Sequence, residues 1–245
     1  MLNYFVLMLL FFLIGSSLYG IHKLRRIHLA QLLNKDSDAL YKQLEALLGL
    51  YALLNLKFNL PRTRGWAASP DILLAVAEHC ITLRPETVVE CSSGTSTVVI
   101  ARCMQLNNFG RVYSLESDPY YAEKTRTNLK LQGLSDWAVV LDSPLKAHHL
   151  NGTEWPWYSE GVLPTDLRID LLVIDGPPST VRQMARYPAG PILFPILNSN
   201  GTVFLDDAAR IDERKIVETW LDEFPSMSLT ELDCEKGCSV LTKRK

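Results

Sequence analysis

Two patterns of apolar residues divide the chain. The first is a continuous run, "MLNYFVLMLLFFLIGSSLYGI", with no charged residue between Met1 and Ile21. Its length matches the roughly 20 residues that cross a bilayer as a helix. A cleaved signal peptide carries positive charge before its apolar run and a small-residue cleavage site after it. Here no Lys or Arg precedes the run and "HKLRR" follows it. The pattern predicts an uncleaved anchor over residues 1–22. With Lys23, Arg25 and Arg26 on its C-terminal side, the positive-inside rule places the rest of the chain in the cytoplasm.

Residues 24–58 read as helix, within a linker spanning 23–60. Leu40, Leu44, Leu47, Tyr51, Leu54 and Phe58 are spaced alternately by four and three, a short coiled-coil-like seam. Such a seam packs on its own domain or the membrane surface, or it joins two copies as a homodimer through residues 40–58. Pro61 is expected to end the helix, because proline disfavours helix in the residue before it.

The second pattern occupies 61–245. "SPDILLAVAEHCIT" opens with a helix-capping Ser69 and a proline at the first helical position. Then come "ETVVEC", a helix after Gly94, "RVYSLES", a helix after Pro119 and "WAVVLDS". An irregular stretch is expected from Pro144 to Arg168. "IDLLVID", a helix from about Thr180, "GTVFLDD" and a helix from about Asp212 follow. "MSLTELD" and "SVLTKR" close the series around a Lys236-Gly237 turn. Short β-branched runs alternating with helices mean a parallel sheet covered on both faces. The tight last connection implies an antiparallel hairpin at one edge.

Composition changes this picture little. Charged residues make up 21% and the formal net charge is −2, which gives nucleic acid no electrostatic footprint. Five cysteines, with no Cys-x-x-Cys, fit reduced thiols better than a disulfide framework or a zinc site.

Ligands of open parallel sheets bind at the C-terminal strand ends. Each of the first five strands ends in acid: Glu90, Glu116, Asp142, Asp175 and the pair Asp206-Asp207. Packing gives buried strand ends no need of carboxylates, which must be solvated, paired or hydrogen-bonded there. Five on one edge point to a site. "CSSGTST" after Glu90 offers small residues and the free amides of a helix N-terminus. Glu116 lies about 20 residues beyond Gly94, where a carboxylate accepts hydrogen bonds from ribose hydroxyls. The glycines of a dinucleotide loop are missing, which disfavours a nicotinamide dehydrogenase.

In this order the motifs resemble those of class I S-adenosylmethionine (SAM)-dependent methyltransferases. "VVECSSGTST" is similar to the family's first motif, "VYSLESD" to the second, "LDSPL" to the adenine-side turn, "LLVIDGPP" to the fourth motif and "GTVFLDDA" to its fifth strand. The likeness runs from about residue 61 to the C-terminus. It implies a doubly wound, mostly parallel seven-stranded α/β sheet with the last strand antiparallel. It further implies that Glu90, with Ser92, Ser93, Gly94, Thr95 and Ser96, holds the methionine part of the cofactor. Glu116 would hold the ribose, and Asp142 with Ser143 the adenine side. Ser92 departs from the pattern, since the family's turn usually has glycine there. Serine is penalised if the backbone takes a positive φ.

Some small-molecule O-methyltransferases of this class hold a divalent cation on an acid after the fourth strand and an Asp-Asp or Asp-Asn pair after the fifth. Asp175, Asp206 and Asp207 stand at corresponding places, and three oxygen ligands plus water suit magnesium. The other reading has Asp206 and Asp207 capping the next turn and pairing locally with Arg210. In either case Asp175 is the candidate catalytic group, as metal ligand or as base.

Three stretches carry two readings each. Arg62, Arg64 and Trp66 form a linker with a buried tryptophan, or a flap over the cofactor or acceptor. "HHLNGTEWPWYSEG", residues 148–161, is a hydrophobic plug or an acceptor lid. Arg182, Arg186 and Tyr187 form a solvated helix face or meet an anionic acceptor. The expectation is a membrane-anchored methyltransferase acting on oxygen of a small-molecule, glycan or lipid-linked acceptor. Its alternative is a catalytically inactive scaffold of the same fold in a membrane complex.

Overall fold

The computed structural model describes residues 2–56 and 58–244. Two compact units are present, Met1–Leu44 and Glu45–Lys245. Helix α1 runs Leu2–Leu54. Among the described residues no helix is long and apolar enough to cross a membrane. The expected anchor over residues 1–22 falls partly outside them, because Met1 and the side chains at positions 2, 3, 5–7 and 10 are not described. In its described part Tyr4, Met8, Phe11, Phe12, Leu18 and Tyr19 are exposed.

The helix ends earlier than Pro61 suggested. Asn55 takes a left-handed conformation, φ 44°, directly after Leu54. Asparagine tolerates that region better than most residues, so it stops the helix in the manner of a C-terminal cap. Leu50 and Leu54 are fully buried in the core of the larger unit, and Leu60 N donates to Tyr51 Oη at 3.0 Å. Leu40, Leu44 and Phe58 of the expected seam are exposed.

The larger unit is a doubly wound α/β fold. Its elements are α2 (Pro70–Leu83), β1 (Thr87–Cys91), α3 (Thr95–Asn107), β2 (Arg111–Glu116), α4 (Pro119–Leu131), β3 (Ala138–Asp142), β4 (Leu145–Leu150), β5 (Thr153–Tyr158), β6 (Ile169–Ile174), α5 (Ala189–Leu193), β7 (Leu197–Asp206), α6 (Ile211–Glu223), β8 (Met227–Leu232) and β9 (Cys238–Lys243). Among the described residues seven strands form one sheet in the order β3-β2-β1-β6-β7-β9-β8. β9 runs antiparallel to both its neighbours, and the other pairings are parallel. This is the expected architecture, with the antiparallel strand inserted one place in from the edge.

Alternate residues of each central strand feed two cores. Val88, Val112, Leu171 and Phe204 face α2, α3 and the end of α1. Val89, Leu115, Leu172 and Val203 face α5, α6 and Trp157. Each such side chain, fully removed from water, contributes about 1.5–3 kcal/mol. That two-sided burial is why the strands read as continuous apolar runs.

Two expectations are corrected. The stretch expected to be irregular from Pro144 to Arg168 is ordered over 145–158, where β4 and β5 form an antiparallel hairpin with Leu145 opposite Tyr158 and Leu150 opposite Thr153. Its two-residue turn is Asn151-Gly152, both at positive φ. Those angles suit the primed turns that match strand twist. No long helix starts at Thr180. Met184 turns left-handed, φ 54°, and Pro188 and Pro191 confine helix to the five residues of α5.

Candidate functional site

The C-terminal strand ends gather the expected acids in two groups. The first surrounds the turn after β1. Ser92 takes φ 89°, the left-handed region that favours glycine. The turn therefore keeps a glycine-like path with a serine in it. Across from it, a Cβ on Gly176 would lie 2.9 Å from Ser92 Cβ and 2.3 Å from Tyr158 Oη. Glycine at 176 is what lets β5, the turn and the end of β6 approach so closely. A Cβ on Gly94, by contrast, would meet open space.

Glu90 is buried beneath the turn. Its Oε2 accepts from Thr97 Oγ1 at 2.5 Å and Ser114 Oγ at 2.8 Å, while Oε1 has no partner. Burial pushes its carboxyl up to about 7, against the hydrogen bonds from Ser96, Thr97 and Ser114. Glu116, at the end of β2, reaches across to the same turn. Its Oε2 accepts from Ser93 N at 2.8 Å and Ser93 Oγ at 3.0 Å, and its Oε1 from Asp118 N at 3.0 Å. Each oxygen of a carboxylate has two acceptor positions, so Glu116 keeps acceptor capacity beyond these bonds.

Thr95 is buried at the start of α3, its hydroxyl donating to Arg62 O at 3.0 Å. The segment 62–67 is thereby strapped to the turn. Lys236 Nζ holds its other end, at 3.2 Å from Ala67 O, and Arg64 pairs with Glu235 at 3.3 Å. Trp66 is 78% exposed, so the linker reading with a buried tryptophan is corrected. Asp142 is mostly exposed and bonds Arg126 Nη2 at 2.7 Å. Ser143 is buried, its N donating to Glu116 O and its Oγ to Ser159 O. The pair expected at the adenine side thus divides: Asp142 faces solvent and Ser143 staples β2 to the end of the hairpin.

The second group lies at the ends of β6 and β7. One carboxylate oxygen from each of Asp175, Asp206 and Asp207 lies within 4.8 Å of the others. Arg186, read from sequence as part of a solvated helix face or as a contact to an anionic acceptor, is 3% exposed and pairs with two of these acids. Its Nη2 donates to Asp207 Oδ2 at 2.8 Å, Asp175 O at 3.0 Å and Asp175 Oδ1 at 3.1 Å. Its Nη1 donates to Asp206 O at 2.8 Å and lies 3.9 Å from Glu213 Oε1. Arg210 Nη1 adds a 2.8 Å contact to Asp207 Oδ2, and Lys236 Nζ stands 4.0 Å from Asp207 Oδ1. The local pairing with Arg210 and the convergence of the three acids occur together.

Burial pushes the Asp175 carboxyl up to about 8, with Arg186 opposing and Asp206 and Asp207 adding to the rise. Burial and Asp207 likewise raise Asp206. A resident divalent cation does not fit this arrangement. It needs oxygen lone pairs turned towards it, and both oxygens of Asp207 already face cations. Asp206 Oδ2 is buried without a hydrogen-bond partner, but Arg186 holds Asp175 Oδ1 and Asp207 Oδ2, so an ion among these acids would have to share them with a guanidinium.

The hairpin supplies the wall over these ends. Trp157 and Tyr158 are fully buried, which is the plug reading of 148–161. Arg182 stacks 3.8 Å over Trp155, and Tyr187 Oη donates to Glu223 at 2.7 Å. The expected solvated helix face from 182 to 187 is therefore a packed turn. His149 pairs with Glu154 across the hairpin at 3.5 Å.

Residues 89–208 match the family model described as a methyltransferase domain. This is a SAM-dependent methyltransferase domain. Solved structures agree on the fold. An O-methyltransferase from Bacillus cereus in complex with SAH is 17% identical, with a TM-score of 0.53 over 83% of this chain and 91% of that one. An SAH-bound methyltransferase from Podospora anserina is 12% identical, with a TM-score of 0.55 over 82% and 88%. An O-methyltransferase of tomaymycin synthesis from Streptomyces achromogenes, in complex with SAM, is 12% identical, with a TM-score of 0.51 over 83% and 89%. No curated protein matches the chain.

Proposed function

We propose that this methyltransferase transfers the methyl group of SAM to an oxygen of a small-molecule, glycan or lipid-linked acceptor. The observation that carries the cofactor half is Glu116, a buried carboxylate at the end of β2 bonded to the amide and hydroxyl of Ser93. The residues fit the cofactor. Gly94 opens onto space, Glu116 Oε1 keeps one acceptor position for a ribose hydroxyl, and the turn from Ser92 to Ser96 has a glycine-like path with Ser92 at φ 89°. Glu90 braces that turn from below. Asp142 stands at the adenine edge, with Ser143 fixing the backbone there.

SAM supplies an electrophilic methyl on a sulfonium. The protein's own part is to place the acceptor oxygen in line with it and to take the acceptor's proton. Asp175 is the base of this reading. Its side chain keeps 16% exposure at the strand edge, and its carboxyl, pushed up to about 8, is matched to neutral chemistry. Arg186 acts through Asp175 as a positioning residue, holding both its carbonyl and its carboxylate. The structural neighbours whose names specify O-methyltransferases support oxygen as the acceptor atom. Magnesium, one of the two readings of the acid triad, is no part of this mechanism because the cluster does not fit it.

The charge-free run from Met1 to Ile21 supports a single-pass anchor with the domain on the cytoplasmic side. Alkaline extraction of membranes from cells expressing the full chain tests it, and release into the supernatant would count against the anchor. In a homodimer through residues 40–58, Leu54 is not available for contact, since it is taken by the core. Calorimetry with SAM on the full-length protein tests the central reading. Micromolar binding that Glu116→Ala abolishes is expected. No binding by folded protein would transfer the reading to the inactive scaffold, with Ser92 as its mark.

A further inference from the structure

The acids at the ends of β6 and β7 are arranged as a cation site, yet a cation already occupies their centre. Three carboxylates, Asp175, Asp207 and Glu213, meet three basic groups, Arg186, Arg210 and Lys236, and the Asp206 carboxylate lies beside Asp175 and Asp207. Arg186 is the buried one. It comes from the turn after β6 and enters between the strand ends. Its two terminal nitrogens reach a carboxylate or carbonyl of each of Asp175, Asp206 and Asp207. A guanidinium is charged at every accessible pH and its donors lie in a fixed plane. It can therefore join acids from two strand ends as an ion would, with hydrogen bonds in place of coordination. Asp207, at φ 58°, is held in a left-handed conformation that turns both its oxygens towards positive charge.

We propose that Arg186 replaces a divalent cation at this edge: its guanidinium joins the carboxylates of Asp175 and Asp207 and the backbone carbonyl of Asp206, and the domain works without a bound metal. A divalent ion entering the cluster would have to displace Arg186 from Asp175 and Asp207. It would then sit beside Arg210 and Lys236. The positive charge that fixes Asp175 is built into the chain, so metal supply does not control the site. With no Lewis acid present, the acceptor must give up its proton to a protein group. An acceptor then needs one acidic hydroxyl and no chelating pair. The inference rests on the methyltransferase reading for that last step alone, and the charge cluster stands on its geometry.

Titration of the full-length protein with Mn²⁺, followed by the loss of free-ion paramagnetic resonance signal, tests it without an acceptor. The wild type is expected to show no saturable binding up to millimolar Mn²⁺, and its melting temperature should not respond to a chelator. Arg186→Met should bind Mn²⁺ at least 10-fold more tightly, and adding Asp207→Asn should remove that gain. Saturable binding by the wild type that Asp207→Asn abolishes would overturn the proposal. So would a folded Arg186→Met protein with no gain. If Arg186→Met fails to fold by circular dichroism, the wild type and Arg186→Lys, which keeps the charge, decide the matter together. Neither should bind. SAM calorimetry on the same samples separates this outcome from failure of the cofactor reading.

Discussion

The two halves of the strand edge hold their acids by different means. Around the β1 turn, Glu90 and Glu116 are bonded by hydroxyls and backbone amides: Thr97, Ser114, Ser93 and the N–H of Asp118. At β6 and β7, Asp175 and Asp207 are bonded by guanidinium and faced by ammonium. Neutral donors rotate and exchange at small cost, so a ligand's hydroxyls can join or replace them. A buried charge pair does not exchange so cheaply, because removing one partner strands the other. The first half is built to yield to a ligand and the second to stay fixed.

The contrast is sharpest when each half loses its central residue. Arg186→Met should cost about 3–5 kcal/mol in urea unfolding, as a broken buried ion pair does. Retained stability would mean that Arg210 and Lys236 suffice. Glu116→Ala should weaken SAM binding about 100-fold or more, and by stranding the Ser93 and Asp118 donors it should cost about 1–3 kcal/mol of stability, less than Arg186→Met. If both variants lost stability equally, the halves would not differ in kind.

Glu90→Gln isolates the buried acid of the yielding half. The folded-state carboxyl of Glu90 lies up at about 7, raised mainly by burial, so the folded state binds its proton more tightly than the unfolded state. Its contribution is fully present below the ordinary carboxylate range and is lost as pH rises through about 7. Thermal melts should show the variant gaining on the wild type from pH 5 to pH 8. A gap that does not change with pH would sink the assignment. Ser92→Gly should stabilise by about 1 kcal/mol, since it removes a side chain from a left-handed position, and leave SAM affinity no weaker. Arg64→Ala, at a salt bridge whose arginine side chain is 65% exposed, should change stability by less than about 0.5 kcal/mol.

Much of this could be read from the chain, and the gaps have identifiable causes. "VVE", "LLVI" and "TVFL" are continuous apolar runs because each strand is buried on both faces, and that signal does not depend on context. The β4–β5 hairpin carries one local signal in the sequence, Asn151-Gly152 between two short runs, which suits a primed turn. Pro156 and the unalternating "LKAHHL" hid the flanking strands. Arg186 was missed for a different reason. Its role as a solvated face assumed a helix from Thr180, and once Met184 turns the chain, the same residue points inward. Ser92 was legible as an anomaly, but only the backbone angle shows that the turn kept its glycine-like path.

The place of β9 has a consequence for synthesis. β8 precedes it in the chain but bonds only to it, because β9 lies between β7 and β8. As the polypeptide emerges from the ribosome, β7 therefore waits with one edge bare, and β8 has no partner until the residues from Cys238 to Lys243 are free. Exposed edges of this kind recruit other chains. A ribosome stalling before Cys238 would release a product prone to aggregate rather than a merely shortened enzyme.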